Sequence, residues 1–204
     1  MIKLYTSKTP NGYKPIIMLE ELKLKYQIKN INLSENEQFL QEFVEINPYA
    51  KIPAIKDQEN NLDLFESGAI LIYLAEKNEN KFLPENGEKR YKTLNWLMFQ
   101  MGNLGPMIGQ YMHFNVFAEE NVPYAKERYS KETHRVLKAM EEKLKNYPYL
   151  AGQDYTIADI ATYPWIRGLF FMRGQEFEMY ENVKKWKEKI DQREAVKKAY
   201  SIEL

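Results

Sequence analysis

Chemistry in this chain must be done without cysteine. None occurs among its 204 residues. A protein-thiol nucleophile, a disulfide framework and thiolate metal sites are therefore excluded. The two histidines, His113 and His134, are too few for a His-based metal centre, and each reads as a surface or packing residue. What remains are hydroxyl, amide and carboxylate groups near turns. Glu66-Ser67 closes a strand-like run and opens a helical one. A helix start presents unpaired N–H groups and the positive end of the backbone dipole, so this pair either cradles an anion or merely caps its own helix. Ile52-Pro53 has two readings as well. With a cis peptide, the Ile52 N–H and C=O turn outward to pair with the backbone of a small peptide; with a trans peptide, Pro53 simply opens a strand. Thr9-Pro10-Asn11-Gly12 is a cluster of turn formers in which Asn11 is the expected helix N-cap. Thr156-Ile157-Ala158-Asp159 has capping-box spacing, with Asp in the usual Glu position. Its apolar neighbours Ile157, Ile160, Ala161 and Trp165 make it a buried folding element.

Bulk composition narrows the partners. Lys plus Arg equals Asp plus Glu at 29 each, so no basic stripe for nucleic acid is expected. The most basic stretch, Lys184 to Lys189, alternates with acidic and apolar residues and reads as the solvated face of a helix. No run approaches the ~20 apolar residues that span a membrane, and Met1 to Tyr5 lacks the apolar core of a signal peptide. With cysteine absent, a reducing compartment fits. The expectation is a soluble, cytoplasmic protein with no membrane and no nucleic-acid partner.

The elements that must position these residues follow from periodicity. Ile2 to Thr6 reads as a strand, Tyr13 to Lys25 as a helix with Ile16, Ile17, Leu19 and Leu22 on one face, and Tyr26 to Leu33 as a second strand. That β-α-β unit predicts parallel strands. Gln38 to Ile46 is a short helix or helical loop. Lys51 to Ile55 is a third strand, Asn60-Asn61 a hairpin turn, Leu62 to Phe65 the returning strand and Glu66 to Lys77 a helix. Composition shifts to Asn, Glu, Pro and Gly over Asn78 to Gly87, where a boundary is expected. Beyond it only helical runs appear: Lys89 to about Phe117, with a kink expected near Gly105-Pro106; Pro123 to Asn146; Thr156 to about Arg173; Val183 to Asp191; and Glu194 to Tyr200. The expected fold is α/β plus all-α: residues 1–80 with a mixed four-stranded sheet, then residues 88–204 all-helical.

This pattern resembles the cytosolic glutathione transferases, with a thioredoxin-like N-terminal domain and a helical C-terminal domain. The match covers nearly the whole chain. Thr9-Pro10-Asn11-Gly12, Asn47-Pro48, Lys51-Ile52-Pro53-Ala54-Ile55, Phe65-Glu66-Ser67-Gly68-Ala69-Ile70 and Gly105-Pro106-Met107-Ile108-Gly109-Gln110 are similar to the nu-class branch, which takes in bacterial disulfide-bond reductases and yeast prion-type proteins. Each motif alone is weak, and their order and spacing make the signal.

The resemblance implies glutathione as bound substrate or cofactor, with no metal. By analogy, Ile52 and Pro53 pair with the cysteinyl backbone, Ser67 receives the γ-glutamyl carboxylate and Glu66 the α-ammonium. Lys51 and Gln38 address the glycyl carboxylate or its neighbours, or are simply solvated. Tyr5, Ser7, Thr9 and Asn11 follow or end the first strand. Tyr5 reads as packing and Ser7 as a turn residue, and the nu-like motif points to Thr9 and Asn11 as donors toward sulfur. A thiol with a pKa near ~8.5 is only slightly ionised at neutral pH, and lowering it by about two units needs ~2.7 kcal/mol of thiolate stabilisation. Arg128 either pairs with a carboxylate of a second glutathione or forms an i,i+4 ion pair with Glu132. Phe99, Gln100, Met107, Tyr111, Phe114 and Phe117 either shape a co-substrate pocket or are plain core.

The activity implied is glutathione-dependent reduction of a small disulfide by bound glutathione thiols, with weaker transferase or peroxidase activity, in a homodimer. Two rivals stand beside it: a conjugating transferase or isomerase acting on another electrophile, and a non-catalytic binding module on the same fold.

Overall fold

The computed structural model describes every residue, Met1–Leu204. Strand β1 (Ile2–Thr6) lies inside a sheet, so burial overrides alternation and Ile2, Leu4, Tyr5 and Thr6 are all buried. It pairs in parallel with β2 (Tyr26–Asn30) and antiparallel with β3 (Ala54–Asp57), which pairs antiparallel with β4 (Leu62–Phe65). The order β2-β1-β3-β4 is the mixed four-stranded sheet that the sequence predicts.

Several boundaries differ for local reasons. β2 stops at Asn30 rather than Leu33, because Asn32 caps a 3₁₀ turn over Leu33–Glu35, accepting from the Ser34 N–H at 3.1 Å. β3 begins at Ala54 rather than Lys51. Pro53 has no N–H to give a ladder, and the buried Asn47 side chain holds the Lys51 carbonyl at 2.6 Å. Helix α1 (Pro10–Glu21) starts earlier than its apolar pattern and ends before Lys25, where Lys23 turns left-handed at φ 55°. Its N-cap is Thr9, not Asn11. Proline suits the first helical position, since its fixed φ is already helical and its missing N–H would be unpaired there. With Pro10 in that place the cap falls one residue earlier, and Thr9 Oγ1 accepts from the Gly12 N–H at 3.1 Å.

After a second 3₁₀ turn (Glu37–Phe39) come the one-turn α2 (Gln41–Val44) and, following β4, α3 (Ser67–Lys77). Ile16, Ile17 and Leu19 of α1 and Ile70, Leu71 and Leu74 of α3 are fully buried, as are Leu4 and Ile55 of the sheet. A smaller cluster of Tyr5, Ile31, Phe43, Ile46 and Ala54, with Leu33 and Ile52 packed on it, lies at one end of the sheet.

The chain divides into two compact units, Met1–Leu83 with Asp191–Leu204, and Pro84–Ile190. The second is helical. α4 (Gly87–Phe99) runs into a π-helical segment (Gln100–Leu104), then α5 (Gly105–Met112) and a second π segment (His113–Phe117). A π turn thus lies where the sequence leads one to expect a kink, and Pro106 falls in the first turn of α5, where it is tolerated. Gly105 is closely packed: a Cβ there would meet Gln100 Nε2 at 2.7 Å and the Gln100 carbonyl oxygen at 3.3 Å. α6 (Pro123–Leu144) buries Thr133, Val136, Leu137 and Met140 along one stripe. α7 (Ile157–Arg173) begins with the expected capping box: Thr156 Oγ1 accepts from the Ala158 N–H at 3.3 Å, and Asp159 Oδ2 accepts from the Thr156 N–H at 3.0 Å. Trp186 of α8 (Glu181–Asp191) donates to Asp159 Oδ1 at 2.9 Å, so one buried carboxylate ties two helices together. No helix is long and apolar enough to cross a membrane.

The last helix, α9 (Glu194–Ser201), belongs to the first unit. Tyr200 stacks on Tyr13 of α1 at 4.0 Å between ring centroids, and Arg193 donates to both Glu21 oxygens at 2.5 and 2.8 Å.

Candidate active site at one end of the sheet

The sheet register gathers the candidate residues of the first unit. Tyr5 of β1 faces Ala54 of β3, and Ala54 faces Phe65 of β4. Adjacent strands lie roughly 4.8 Å apart. The chain leaving β1 carries Ser7, Thr9 and Asn11; the chain entering β3 carries Lys51, Ile52 and Pro53; the chain leaving β4 carries Glu66 and Ser67. β2 runs parallel to β1 and ends level with it, Thr6 opposite Asn30, so the segment bearing Gln38 departs from the same end. Residues far apart in sequence thus converge on one sheet end.

Each turn at that end is locally fixed. Thr6 Oγ1 donates to the Gly12 carbonyl at 3.0 Å, and a Cβ on Gly12 would lie 2.0 Å from the Ser7 carbonyl oxygen. Only glycine allows this approach of α1 to β1, and the approach sets Asn11 in the first turn of the helix. The Thr9 oxygen accepts from Gly12, which leaves its proton for another partner. Tyr5 is 5% exposed and packs against Phe43, the packing role read from sequence.

The Ile52-Pro53 peptide is cis. Ile52 precedes the ladder that starts at Ala54, so its N–H and C=O lie outside the sheet hydrogen bonds. The turn before it is held by Asn47, which accepts from the Tyr49 N–H at 3.0 Å while donating to Lys51 O. Lys51 is exposed, its Nζ 4.6 Å from the centre of the Tyr49 ring. Gln38 sits on the 3₁₀ turn with its Oε1 shielded from solvent and accepting no hydrogen bond within the chain.

Glu66 has φ 67°, unusual for a residue with a side chain. Such backbone costs on the order of 1–2 kcal/mol, and here it turns the chain sharply from β4 into α3. Glu66 holds the N-cap position of α3, its carbonyl accepting from the Ile70 N–H at 2.9 Å, but its exposed side chain makes no cap bond. Ser67 is the first helical residue and is buried.

Lys14 is absent from the sequence-based set, yet it stands in this site. It is 1% exposed, and its Nζ donates to Ser67 Oγ at 3.2 Å. Burial pulls its ammonium down to about 7, against the raising influence of the Glu66 carboxylate. A lysine between Tyr13 and Pro15, with Ile16 and Ile17 following, is the signal that was available: it falls inside an otherwise apolar stretch.

Arg128 lies exposed on α6 of the second unit, and Glu132 is engaged by Arg135 at 3.5 Å. Among the aromatic and Met candidates of that unit, Tyr111 is core: it is fully buried and donates to Glu176 Oε2 at 2.6 Å. Gln100 is also buried, Phe99, Met107 and Phe114 are half-buried, and Phe117 is exposed. Phe114 stacks on Tyr129 with ring centroids 5.5 Å apart. His134 packs against Phe177 and Tyr180, and His113 is exposed. No group of three or more His, Asp or Glu side chains is placed to hold a metal ion.

A mixed β2-β1-β3-β4 sheet with a cis-proline before β3 and a helix opened by Glu-Ser, followed by a helical unit, defines a thioredoxin-like fold of the transferase type. Family models agree: residues 1–76 match the glutathione S-transferase N-terminal domain and residues 104–194 its C-terminal domain. The chain is 46% identical to the disulfide-bond oxidoreductase YfcG of Escherichia coli, over 98% of this chain and 94% of that one. Two solved structures are similar throughout. A glutathione transferase family member from Pseudomonas fluorescens, with two glutathiones bound, has a TM-score of 0.94 at 42% identity and covers 99% and 93% of the two chains. A glutathione transferase from Pseudomonas putida, with one glutathione disulfide bound per subunit, has a TM-score of 0.92 at 38% identity and covers 98% and 91%. The chain belongs to the glutathione S-transferase family and is an enzyme of that type with a glutathione-dependent activity.

Proposed function

We propose that this enzyme reduces small disulfides with the thiols of bound glutathione, in a site that takes two glutathiones or one glutathione disulfide. The observation that carries the reading is the convergence of Thr9 and Asn11, the Ile52 backbone and Glu66-Ser67 on one sheet end in a chain without cysteine. Support comes from the relative named as a disulfide-bond oxidoreductase and from the similar structures that hold two glutathiones or the disulfide.

Each residue has a task in this reading. Ile52, outside the ladder, exchanges backbone hydrogen bonds with the cysteinyl unit. Ser67, at the N-terminal end of α3, receives the γ-glutamyl carboxylate, and the exposed Glu66 carboxylate receives the α-ammonium. Gln38, whose Oε1 lacks a donor, and Lys51 address the glycyl end. Thr9 and Asn11 donate toward sulfur; one or two charge-assisted hydrogen bonds at about 1.5–3 kcal/mol each suffice to lower a thiol pKa by about two units. Arg128 pairs with a carboxylate of the second glutathione. In balance, two glutathione thiols are oxidised to one disulfide, while the substrate disulfide takes up two electrons and two protons and leaves as two thiols. The protein works as a homodimer in the cytoplasm.

Replacing Asn11 with Ala tests the sulfur-directed role. Turnover of hydroxyethyl disulfide should fall by about tenfold or more, equivalent to about 1.4 kcal/mol. Unchanged turnover removes Asn11 from the mechanism, and turnover of an aryl halide without turnover of the disulfide would favour a conjugating enzyme instead.

A further inference from the structure

A cavity of about 180 Å³ lies wholly within the second unit and is lined by none of the glutathione-directed residues. α4 brings Lys89 and Lys92 to its wall and α6 brings Lys143, while Tyr147 and the loop Ala151–Asp154 form much of the rest. Three ammonium groups thus share one hollow with a single carboxylate, Asp154.

Their pairings leave positive charge to spare. Lys89 engages Asp154 at 3.3 Å and Lys92 engages Glu88 at 2.5 Å, and all four side chains are exposed. Exposed pairs of this kind contribute little and exchange readily for another partner. Lys143 is half-buried and forms no ion pair with a carboxylate. Its Nζ lies 3.8 Å from the centre of the Tyr147 ring, a cation–π contact that holds it at the wall. Burial and the neighbouring Lys92 charge both pull its pKa down. An anion between the two lysines would relieve their repulsion and favour the protonated form of Lys143.

Size and donor type select the ligand class. A cavity of about 150 Å³ holds a benzene, and drug-sized ligands need roughly 300 Å³ or more, so this hollow takes a small group. Lysine serves phosphate as a point charge, whereas the planar fork of arginine is the better match to a carboxylate. An excess of two ammonium groups over carboxylate suits a dianion.

We propose that this lysine-lined cavity is a binding site for a small phosphoryl dianion, held between Lys92 and Lys143 with Lys89 beside them. The occupant is either free inorganic phosphate or the phosphoryl group of a small phosphomonoester.

The test is titration calorimetry of the full chain with inorganic phosphate, glycerol 3-phosphate and malonate, at ionic strength fixed with sodium chloride. Phosphate should bind saturably in the millimolar range, one per chain, and should move the amide NMR signals of Ala151 to Asp154. Lys92→Met and Lys143→Met should each weaken it about fivefold or more. Lys131→Met removes an equal charge from the same helix, where Lys131 pairs with Glu127, and should stay within about twofold. Thermal midpoints confirm folding, and Lys143→Gln serves if Lys143→Met does not fold. Tighter uptake of glycerol 3-phosphate than of phosphate assigns the site to a phosphomonoester, and weaker uptake assigns it to the free ion. The proposal is overturned if phosphate shows no saturable heat, if the Lys92 and Lys143 variants bind it as the parent does, if Lys131→Met loses as much as they do, or if malonate binds as tightly as phosphate.

Discussion

The capping carboxylate of α7 gives the sharpest prediction about the scaffold. Asp159 is fully buried, and its two oxygens accept four hydrogen bonds. Oδ1 takes the Leu150 N–H at 3.0 Å and Trp186 Nε1 at 2.9 Å; Oδ2 takes the Thr156 N–H at 3.0 Å and its hydroxyl at 3.2 Å. Asp159→Ala strands three buried N–H donors. At about 1–3 kcal/mol per orphaned donor the gross cost is roughly 3–9 kcal/mol. Part is returned, because burial opposes the charged carboxyl and lifts its pKa. The expected net loss is about 4 kcal/mol, a large share of the 5–15 kcal/mol typical of a folded protein. For a chain of this size that lowers the melting temperature by roughly 8–16 °C. Asp159→Asn keeps one oxygen for two of the donors and should lose about half as much. Circular dichroism melts at neutral pH read the shift, and fluorescence of the buried Trp186 reports whether the α7–α8 joint opens. An alanine variant melting within about 3 °C of the parent would refute the reasoning, since the cap would then be dispensable.

Two further outcomes follow from the first unit. Asp57 is buried and accepts from Lys77 Nζ at 2.5 Å, from the Tyr73 hydroxyl and from the Glu59 N–H at 3.0 Å. Burial raises its pKa, but these donors outweigh it and hold the carboxyl at about 2. A depressed carboxyl stabilises above its unfolded value, so the contribution of about 2 kcal/mol is present at neutral pH and fades as pH falls from about 4 toward 2. Asp57→Asn should be less stable than the parent at pH 7 in urea melts, with the gap closing in acid; a constant gap contradicts the assignment. Tyr200→Ala should cost about 2 kcal/mol by removing the stack on Tyr13. Hydrogen exchange should then quicken in α1 amides and not in those of α7, and the opposite pattern would place α9 with the other unit.

Much of this architecture was legible because periodicity and turn chemistry agreed. The β-α-β start, the hairpin over Asn60-Asn61 and the long helices follow from residue spacing, as does the Thr156–Asp159 capping box. The errors have local causes. Asn11 reads as the best cap by residue type, but Pro10 claims the first helical position and moves the cap to Thr9. Lys51 and Ile52 read as strand, but Asn47 captures the Lys51 carbonyl across a turn, a bond between side chain and backbone that no period reveals. Gly105-Pro106 marks an interruption in the helical run, but the π turn over Gln100–Leu104 that precedes it has no mark in the spacing.

Site residues divide in the same way. Glu66-Ser67 and Ile52-Pro53 sit beside strand ends and could be named from sequence. The cis peptide was one of two readings that the sequence left open, and the positive φ of Glu66 has no mark in it. Lys14 was hidden for another reason: on a helix with Lys23 and Lys25 just beyond it, one more lysine reads as solvated. Only the packing of α1 on α3 shows its ammonium buried against Ser67. The return of α9 to α1 was equally illegible, since Glu194–Ser201 carries no mark of which surface its apolar face meets.

The central claim is that the first unit grips a small peptide thiol without any protein cysteine. Calorimetric titration of the purified chain with glutathione and with glutathione disulfide tests it most directly. Saturable uptake of both within the millimolar range, at two glutathiones or one disulfide per chain, is the expected result. Heats no different from dilution for either ligand would contradict it.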